Sequence, residues 1–247
     1  MKIGVYGDSF AAPRQNLPGE TDISWWEWLQ EQGHEVTTWG KNASSLWYSV
    51  RGFLATHTEY DSIVFLVTSP HRFILPSRPD ILFPEDFRYI AGLYNTEFNS
   101  QLAKQRRLNP EVSRILNCAK DYIVDIQDTE FDVYAHNLMV AEIRRIRPDA
   151  VILPCFSNSL PDLSGSIPLI YINEVENHSL GEDWNSDWEK LIRSGVDLRR
   201  CHMTQANNIM IGKKVLNCLL TGERFCVTSD DIIQPTESIR KYFVKIS

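Results

Sequence analysis

A serine in a short glycine-acid-serine segment is the first residue of this sequence that could do chemistry. Gly7, Asp8, Ser9 and Phe10 follow an apolar run at residues 2–6 that is typical of a buried parallel strand. Gly7 permits a tight turn, so the Ser9 hydroxyl can stand at the edge of the sheet with its own N–H directed at the same space. A serine placed in this way could act as a nucleophile. The alternative interpretation is that Asp8 and Ser9 only close a turn or cap the next helix.

The residues that directly follow the other predicted strands complete the set of candidates. In an open parallel sheet, ligands bind beside the carboxyl ends of the strands, so side chains just after each strand share one edge. In chain order these candidates are Gly40, Asn42, Ala43, Ser44, Thr68, Ser69, His71, Arg72, Cys155, Ser157, Asn158, Asn173, Glu174 and Glu176.

Short apolar runs alternate with helical patterns along the chain and predict an α/β fold. The predicted strands cover residues 2–6, 35–39, 62–67, 149–154 and 168–172. Two predicted helices begin at Ser24 and at Ser45. Four further helices are predicted at residues 111–126, 131–146, 187–193 and 203–220. This order predicts a doubly wound, five-stranded parallel sheet with helices on both faces, which is a three-layer α/β/α sandwich of the flavodoxin-like type.

The chain is interpreted as one domain with an insertion and a tail. Its 247 residues suit a single large domain, and the sequence contains no internal repeat or clear linker. Residues 73–110 interrupt the alternation of strands and helices, contain several prolines and are interpreted as an insertion over the edge of the sheet. Residues 1–222 are therefore assigned to the α/β domain and residues 223–247 to a C-terminal tail packed on it.

Composition and charge argue against several classes of protein. Lys and Arg total 25 against 32 Asp and Glu, which gives a formal net charge of −7, and no stretch is strongly basic. A dedicated nucleic-acid surface is therefore not expected. No apolar run approaches the roughly 20 residues of a membrane span, and the first residues lack the apolar region of a signal peptide, so a cytoplasmic location is expected.

Neither a metal nor an organic cofactor is expected. The five cysteines share no CxxC spacing and are interpreted as reduced thiols. A nucleotide site is disfavoured because Asp8 would repel a phosphate and the G-x-G-x-x-G pattern is absent. His34, His57, His136 and His178 have no partner pattern and are interpreted as surface residues.

Two blocks at opposite ends of the chain resemble the GDSL/SGNH hydrolase family. Residues 7–10, GDSF, match the family's first block, which keeps G-D-S and an apolar residue at the end of its first strand. Residues 201–204, CHMT, stand before an amphipathic helix, as the family's last block does. The resemblance implies that Ser9 is the nucleophile and His202 its base. The chain is most similar in character to divergent members of the family that bacteriophages encode.

The residues at the oxyanion hole and at the rim of the site match the family's blocks less closely. The resemblance implies that the backbone N–H groups of Ser9 and Ala43 are oxyanion donors, with the N–H of Gly40 as the alternative to that of Ala43. The family's third block, G-x-N-D, supplies an asparagine side chain as a further donor, whereas residues 68–72 here read TSPHR. Asn42, Thr68, Ser69 and Arg72 are the candidates to replace it. The substrate-binding residues predicted at this edge are Asp8, Gly40, Thr68, Ser69, His71 and Arg72.

The acid of a catalytic triad is displaced in this sequence. The family places it three residues before the histidine, where this chain has Arg199. The nearest carboxylate is Asp197, which a bulge would bring back to His202. The alternatives are a backbone carbonyl that orients His202, or a dyad of Ser9 and His202 alone.

Two functions of different classes follow from these observations. The first is a serine ester hydrolase that acts on small acyl esters, including O-acetyl groups on carbohydrate. The second is a binding or structural protein on the same scaffold with a catalytically weakened site, which the missing asparagine and the displaced acid favour. A phage-encoded protein of the second kind could belong to a virion. The sequence does not set the oligomeric state.

Overall fold

Four parallel strands form the sheet in the computed structural model. The structure describes residues 1–12, 23–41, 44–68, 70, 114, 118, 128–155, 205–223, 225 and 231. Within these residues the strands are β1 (Lys2–Gly7), β2 (Glu35–Gly40), β3 (Ser62–Val67) and β4 (Val151–Pro154), in the order β2-β1-β3-β4. The predicted α/β class and parallel sheet are confirmed. The predicted fifth strand, at residues 168–172, lies outside the described residues.

The apolar character of β3 follows from its burial on both faces. Alternate residues of a strand point to opposite faces of the sheet. Val64 and Leu66 enter one apolar core, while Ile63, Phe65 and Val67 enter the other, and all five side chains are buried. A strand that is covered on both faces has no polar positions to alternate with, which explains the uninterrupted run SIVFLV.

The first two helices begin at serine caps, as the sequence predicts. α1 (Trp25–Glu31) has Ser24 as its N-cap, and Glu27 completes a capping box by accepting a hydrogen bond from the Ser24 backbone. α2 (Leu46–Thr56) has Ser45 as its N-cap. Each serine oxygen accepts a hydrogen bond from a backbone N–H that the helix itself leaves without an acceptor.

Two longer helices follow later in the chain. α3 (Thr129–Ile146) starts at Asp128, whose side chain accepts from two backbone N–H groups, and α4 (Gln205–Thr221) ends before Gly222, which has a φ of +73°. No helix among the described residues is long and apolar enough to cross a membrane.

Helices cover both faces of the sheet and make three layers. The core on one face contains Trp25 and Leu29 of α1 together with Ile211 and Val215 of α4. The core on the other face contains side chains of α2 and α3, namely Leu46, Val50, Phe53, Val140 and Ile143. The chain moves from β1 outward to β2 and then back past β1 to β3, so right-handed crossovers put α1 and α2 on opposite faces.

The described residues of the C-terminal segment contact α4 or its core. Phe225 is buried in the core that α1 and α4 share, and the carboxylate of Asp231 lies 3.0 Å from the Lys214 ammonium. The remainder of the predicted tail and all of the predicted insertion at residues 73–110 lie outside the described residues.

Arg147 joins the amino ends of β3 and β4, at the edge of the sheet opposite to Ser9. Its guanidinium donates to the carbonyl oxygens of His57, Tyr60 and Asp61 at 2.8–3.1 Å and to both carboxylate oxygens of Asp149 at 2.7 and 2.9 Å. These hydrogen bonds lower the pKa of the Asp149 carboxyl group. Arg147 therefore fixes the segment before β3 against the segment before β4.

Replacing Arg147 with methionine should destabilise the fold without disturbing the opposite edge of the sheet. Three backbone carbonyls lose a charged donor, and we expect the free energy of unfolding to fall by about 2 kcal/mol. A thermal melt should show a decrease of roughly 4–8 °C for a chain of this size. Arg145→Met is the matched control, because within the described part of the chain Arg145 pairs only with Glu142, and its side chain is 70% exposed against 16% for Arg147. Equal melting temperatures for the two variants would contradict the assignment.

Candidate active site at the carboxyl edge of the sheet

The order of the strands creates a switch point between β1 and β3. The chain leaves β1 toward β2 on one side of the sheet and leaves β3 toward β4 on the other. In sheets of this kind the loops separate at the switch point and open a crevice beside the carboxyl ends of the two strands. Ser9 follows β1 and Thr68 follows β3, so both residues border this crevice.

A tight turn carries Ser9. The Ala11 N–H donates to the Asp8 carbonyl at 3.1 Å, and the Phe10 N–H donates to Oδ1 of the Asp8 side chain at 3.2 Å. Within residues 3–12, all of which the structure describes, every residue is buried except Ser9, which is partly exposed. The turn thus presents one serine and buries its neighbours.

The Asp8 carboxylate organises this edge of the sheet. Oδ2 accepts a hydrogen bond of 2.8 Å from the Thr68 hydroxyl, and Oδ1 accepts from the Phe10 N–H and weakly, at 3.9 Å, from the Cys155 thiol. Asp8, Thr68 and Cys155 are all buried. The Asp8 side chain therefore links the segments that leave β1, β3 and β4. In this arrangement Asp8 and Thr68 hold positions at the edge, and their contact with a substrate stays a prediction.

The loop after β2 is fixed against the end of β1. The Gly7 carbonyl accepts from the Lys41 N–H at 3.4 Å and from the hydroxyls of Ser44 and Ser49 at 3.3 and 3.0 Å. The Ser44 N–H also donates to the Lys41 carbonyl at 3.1 Å. Lys41 and Ser44 are thus both tied to Gly7, the residue two positions before Ser9.

Gly40 lets the Ser9 turn lie across the end of β2. A Cβ atom at this position would overlap the backbone of Ala11 and the backbone nitrogen of Ala12. The predicted role of Gly40 was a substrate contact. What the structure describes is a close approach of backbone to backbone, which only glycine permits without displacement.

His136 is buried beside this network, so its interpretation as a surface residue is wrong. Its Nε2 atom lies 2.8 Å from the Thr68 carbonyl oxygen, and because a carbonyl only accepts, Nε2 is the donor. The sequence does carry a signal for this burial. His136 lies four residues before Val140 and seven before Ile143, and both are core residues of α3.

The amino end of α4 is tied to the same edge as Ser9. The Asn208 side chain, in the first turn of α4, accepts from the Trp25 N–H at 3.1 Å, which gives α1 a second capping acceptor. The indole N–H of Trp25 donates to the Phe10 carbonyl at 3.0 Å. Two hydrogen bonds thus connect the start of α4, through α1, to the turn that carries Ser9.

The structure describes four of the eleven predicted site residues and brings them to one edge of the sheet. These are Asp8, Ser9, Gly40 and Thr68. The other seven lie outside the described residues, namely Asn42, Ala43, Ser69, His71, Arg72, Asp197 and His202. Among the described residues, no group of three or more His, Cys, Asp or Glu side chains could hold a metal ion.

Comparison of the sequence with known proteins assigns no family to this chain. The sequence matches no model of a known protein family, and no curated protein matches it significantly. Function is therefore inferred from the arrangement of residues at the carboxyl edge of the sheet and from the resemblance of the two sequence blocks.

Proposed function

We propose that this protein is a serine ester hydrolase in which Ser9 is the nucleophile. The observation that carries the proposal is the selective exposure of Ser9 at the switch point, within a stretch of otherwise buried residues. A nucleophile must meet its substrate while its backbone is held in one geometry. The hydrogen bonds from Ala11 and Phe10 to Asp8 supply that constraint. For the fold, we propose that the α/β sheet belongs to an SGNH-type sandwich with a fifth strand at residues 168–172.

The proposed reaction uses His202 as the base. The Ser9 oxygen attacks the acyl carbon, His202 takes the hydroxyl proton, and the same proton then passes to the departing alcohol. Water, deprotonated by His202, releases the acyl group and restores Ser9. Supporting this role, the first turn of α4 is bonded to Trp25, and position 202 precedes α4 by three residues. Three residues span at most about 11 Å, and this short separation from α4 supports His202 as the base.

The oxyanion hole is proposed to rest on backbone N–H groups of Ser9 and Ala43. In support of this proposal, Lys41 and Ser44, the described residues on either side of positions 42 and 43, both donate to the Gly7 carbonyl, and an oxyanion donor must be fixed before the reaction. The Thr68 hydroxyl already donates to Asp8 and is a poor replacement for the family's asparagine. The proposed third donor is therefore one of the other three candidates, Asn42, Ser69 or Arg72. A missing donor would cost about 2.7–4 kcal/mol in the transition state.

The proposed substrates are small acyl esters, including O-acetyl groups on carbohydrate. This class follows from the resemblance to SGNH hydrolases. Neither a metal nor an organic cofactor takes part in the proposed steps, since the serine, the base and the N–H donors are sufficient for acyl transfer.

A fluorophosphonate probe tests the proposal directly. An active Ser9 should form an Oγ–P bond and release fluoride, so the wild-type protein should be labelled and Ser9→Ala should not. Ser62→Ala is the matched control, because Ser62 is also partly exposed but lies at the amino end of β3. Labelling of Ser62→Ala should equal that of the wild type. A folded wild-type protein that the probe does not label would overturn the hydrolase.

The second candidate is a binding or structural protein on the same scaffold. The observation that favours it is the buried hydrogen bond between Thr68 and Asp8, which occupies the hydroxyl of one candidate to replace the family's asparagine. An unlabelled wild-type protein that nevertheless binds an acetylated sugar would support this alternative.

A further inference from the structure

We infer that Thr68 is a positioning residue for Ser9. The inference rests on the proposed serine hydrolase and gives Thr68 a role that the family's blocks do not assign to this position. Thr68 directly follows β3, and its hydroxyl donates to Oδ2 of Asp8 at 2.8 Å across the switch point. Both side chains are buried, so water does not compete for this hydrogen bond.

The Thr68 hydroxyl determines where the Asp8 carboxylate points. Asp8 has two side-chain torsions, and an acceptor contact at each oxygen fixes both of them. Oδ2 is held by Thr68, and Oδ1 then accepts from the Phe10 N–H at 3.2 Å. The Phe10 N–H belongs to the peptide unit that follows Ser9. The position of the Thr68 hydroxyl is thus transmitted through one carboxylate to the backbone around the nucleophile.

Thr68 is itself held from the opposite side. The Nε2–H of His136 donates to the Thr68 carbonyl at 2.8 Å, and His136 is buried in α3. The network therefore runs from a long helix through Thr68 and Asp8 to the Ser9 turn. A rigid helix gives the turn a reference point that a loop alone would not provide.

Loss of the Thr68 hydroxyl should act on reactivity more than on folding. Valine has nearly the shape of threonine but cannot donate, so Thr68→Val removes the donor to Oδ2 of Asp8 and keeps the contacts at Oδ1. A displacement of about 1 Å in a catalytic geometry can cost about 100-fold in rate. We expect Thr68→Val to lower the rate of fluorophosphonate labelling by about 10- to 100-fold. Hydrolysis of p-nitrophenyl acetate should lose kcat, with KM unchanged, because the variant binds the ester as before.

Two further variants separate positioning from a general loss of stability. Thr68→Ser keeps the hydroxyl and should restore most of the labelling rate. Thr56→Val removes an equivalent buried hydroxyl, which is bonded to Tyr6 at 2.8 Å and to the Gly52 carbonyl at 2.8 Å, at the far end of α2. Thr56→Val should melt at a temperature similar to that of Thr68→Val and yet be labelled at the wild-type rate.

The outcomes distinguish this inference from the proposed function. If wild type is labelled and folded Thr68→Val is labelled equally fast, Thr68 is not a positioning residue, although the hydrolase stands. If Thr68→Val and Thr56→Val slow labelling to the same extent, the effect is one of stability and the inference is wrong. If wild type is not labelled, the hydrolase fails and the inference falls with it. Slow labelling in Thr68→Val alone, with rescue by Thr68→Ser, supports it.

Discussion

Replacing His202 with alanine should lower kcat for a short acyl ester by about 10⁴-fold while the protein remains folded. The proposed base removes the Ser9 proton during attack, and at neutral pH an unassisted serine hydroxyl is a weak nucleophile. Stopped or discontinuous assays on p-nitrophenyl acetate would measure the loss, with a thermal melt to show that the fold persists. The tie between Asn208 and Trp25 makes this prediction specific, because it keeps the start of α4 at the edge that holds Ser9.

The control for this prediction is a histidine at the opposite edge of the sheet. His34 precedes β2 and its Nδ1 lies 3.4 Å from the terminal amine, so His34→Ala should leave kcat unchanged. Asp197→Asn reports on the partner of His202 and should lower kcat by up to about 10⁴-fold if the carboxylate holds the imidazole. A His202→Ala variant that retains wild-type kcat would exclude this histidine as the base.

Burial and capping explain why most of the described elements could be predicted from the sequence. The run at residues 63–67 is apolar throughout because both faces of β3 are covered, and the observed strand has the predicted bounds, residues 62–67. Ser24 and Ser45 were predicted as the starts of α1 and α2, and both are N-caps. These features depend on a few neighbouring residues, which is the range over which sequence patterns are informative.

Contacts between distant segments could not be predicted in the same way. Asp8 and Thr68 are sixty residues apart, and the topology predicts that their strands adjoin, but not that one side chain donates to the other. The hydrogen bond depends on the torsions of both side chains, which no periodic pattern encodes. The sequence predicts Asp8 and Thr68 as substrate contacts, which stays a prediction, and the buried link between their side chains is found only in the structure.

Arg147 illustrates the same limit at the other end of the sheet. Its position at the end of α3 was predicted, but its three carbonyl acceptors belong to a segment almost ninety residues earlier. Charge and position alone are consistent with an exposed helix terminus, which is the usual environment of arginine. Only the approach of residues 57–61 to the start of β4 turns this arginine into a partly buried link between the two segments.

Replacing Gly40 with alanine should destabilise the protein and disable Ser9 together. The new Cβ atom would overlap the backbone of Ala11 and Ala12, and a backbone contact cannot be relieved by turning a side chain. Either the Ser9 turn lifts from β2 or the end of β2 moves away from Gly7, its partner in the sheet. We expect a loss of about 3 kcal/mol in the free energy of unfolding, at the upper end of overpacking effects. Fluorophosphonate labelling should fall by about 100-fold, because the turn that presents Ser9 is displaced.

Gly52→Ala is the matched control for this last prediction. Gly52 lies within α2, and a Cβ atom there would meet its nearest neighbours, Trp39 and Tyr6, at 3.7–3.8 Å, which is ordinary contact. Alanine is favoured over glycine in a helix by roughly 0.5–1 kcal/mol, so Gly52→Ala should raise the melting temperature while Gly40→Ala lowers it. Labelling of Gly52→Ala should match the wild type. Opposite shifts in melting temperature for the two variants, with slow labelling only in Gly40→Ala, would show that the close approach at Gly40 sets the geometry of Ser9. Equal labelling of the two variants would show that the Ser9 turn does not depend on this contact.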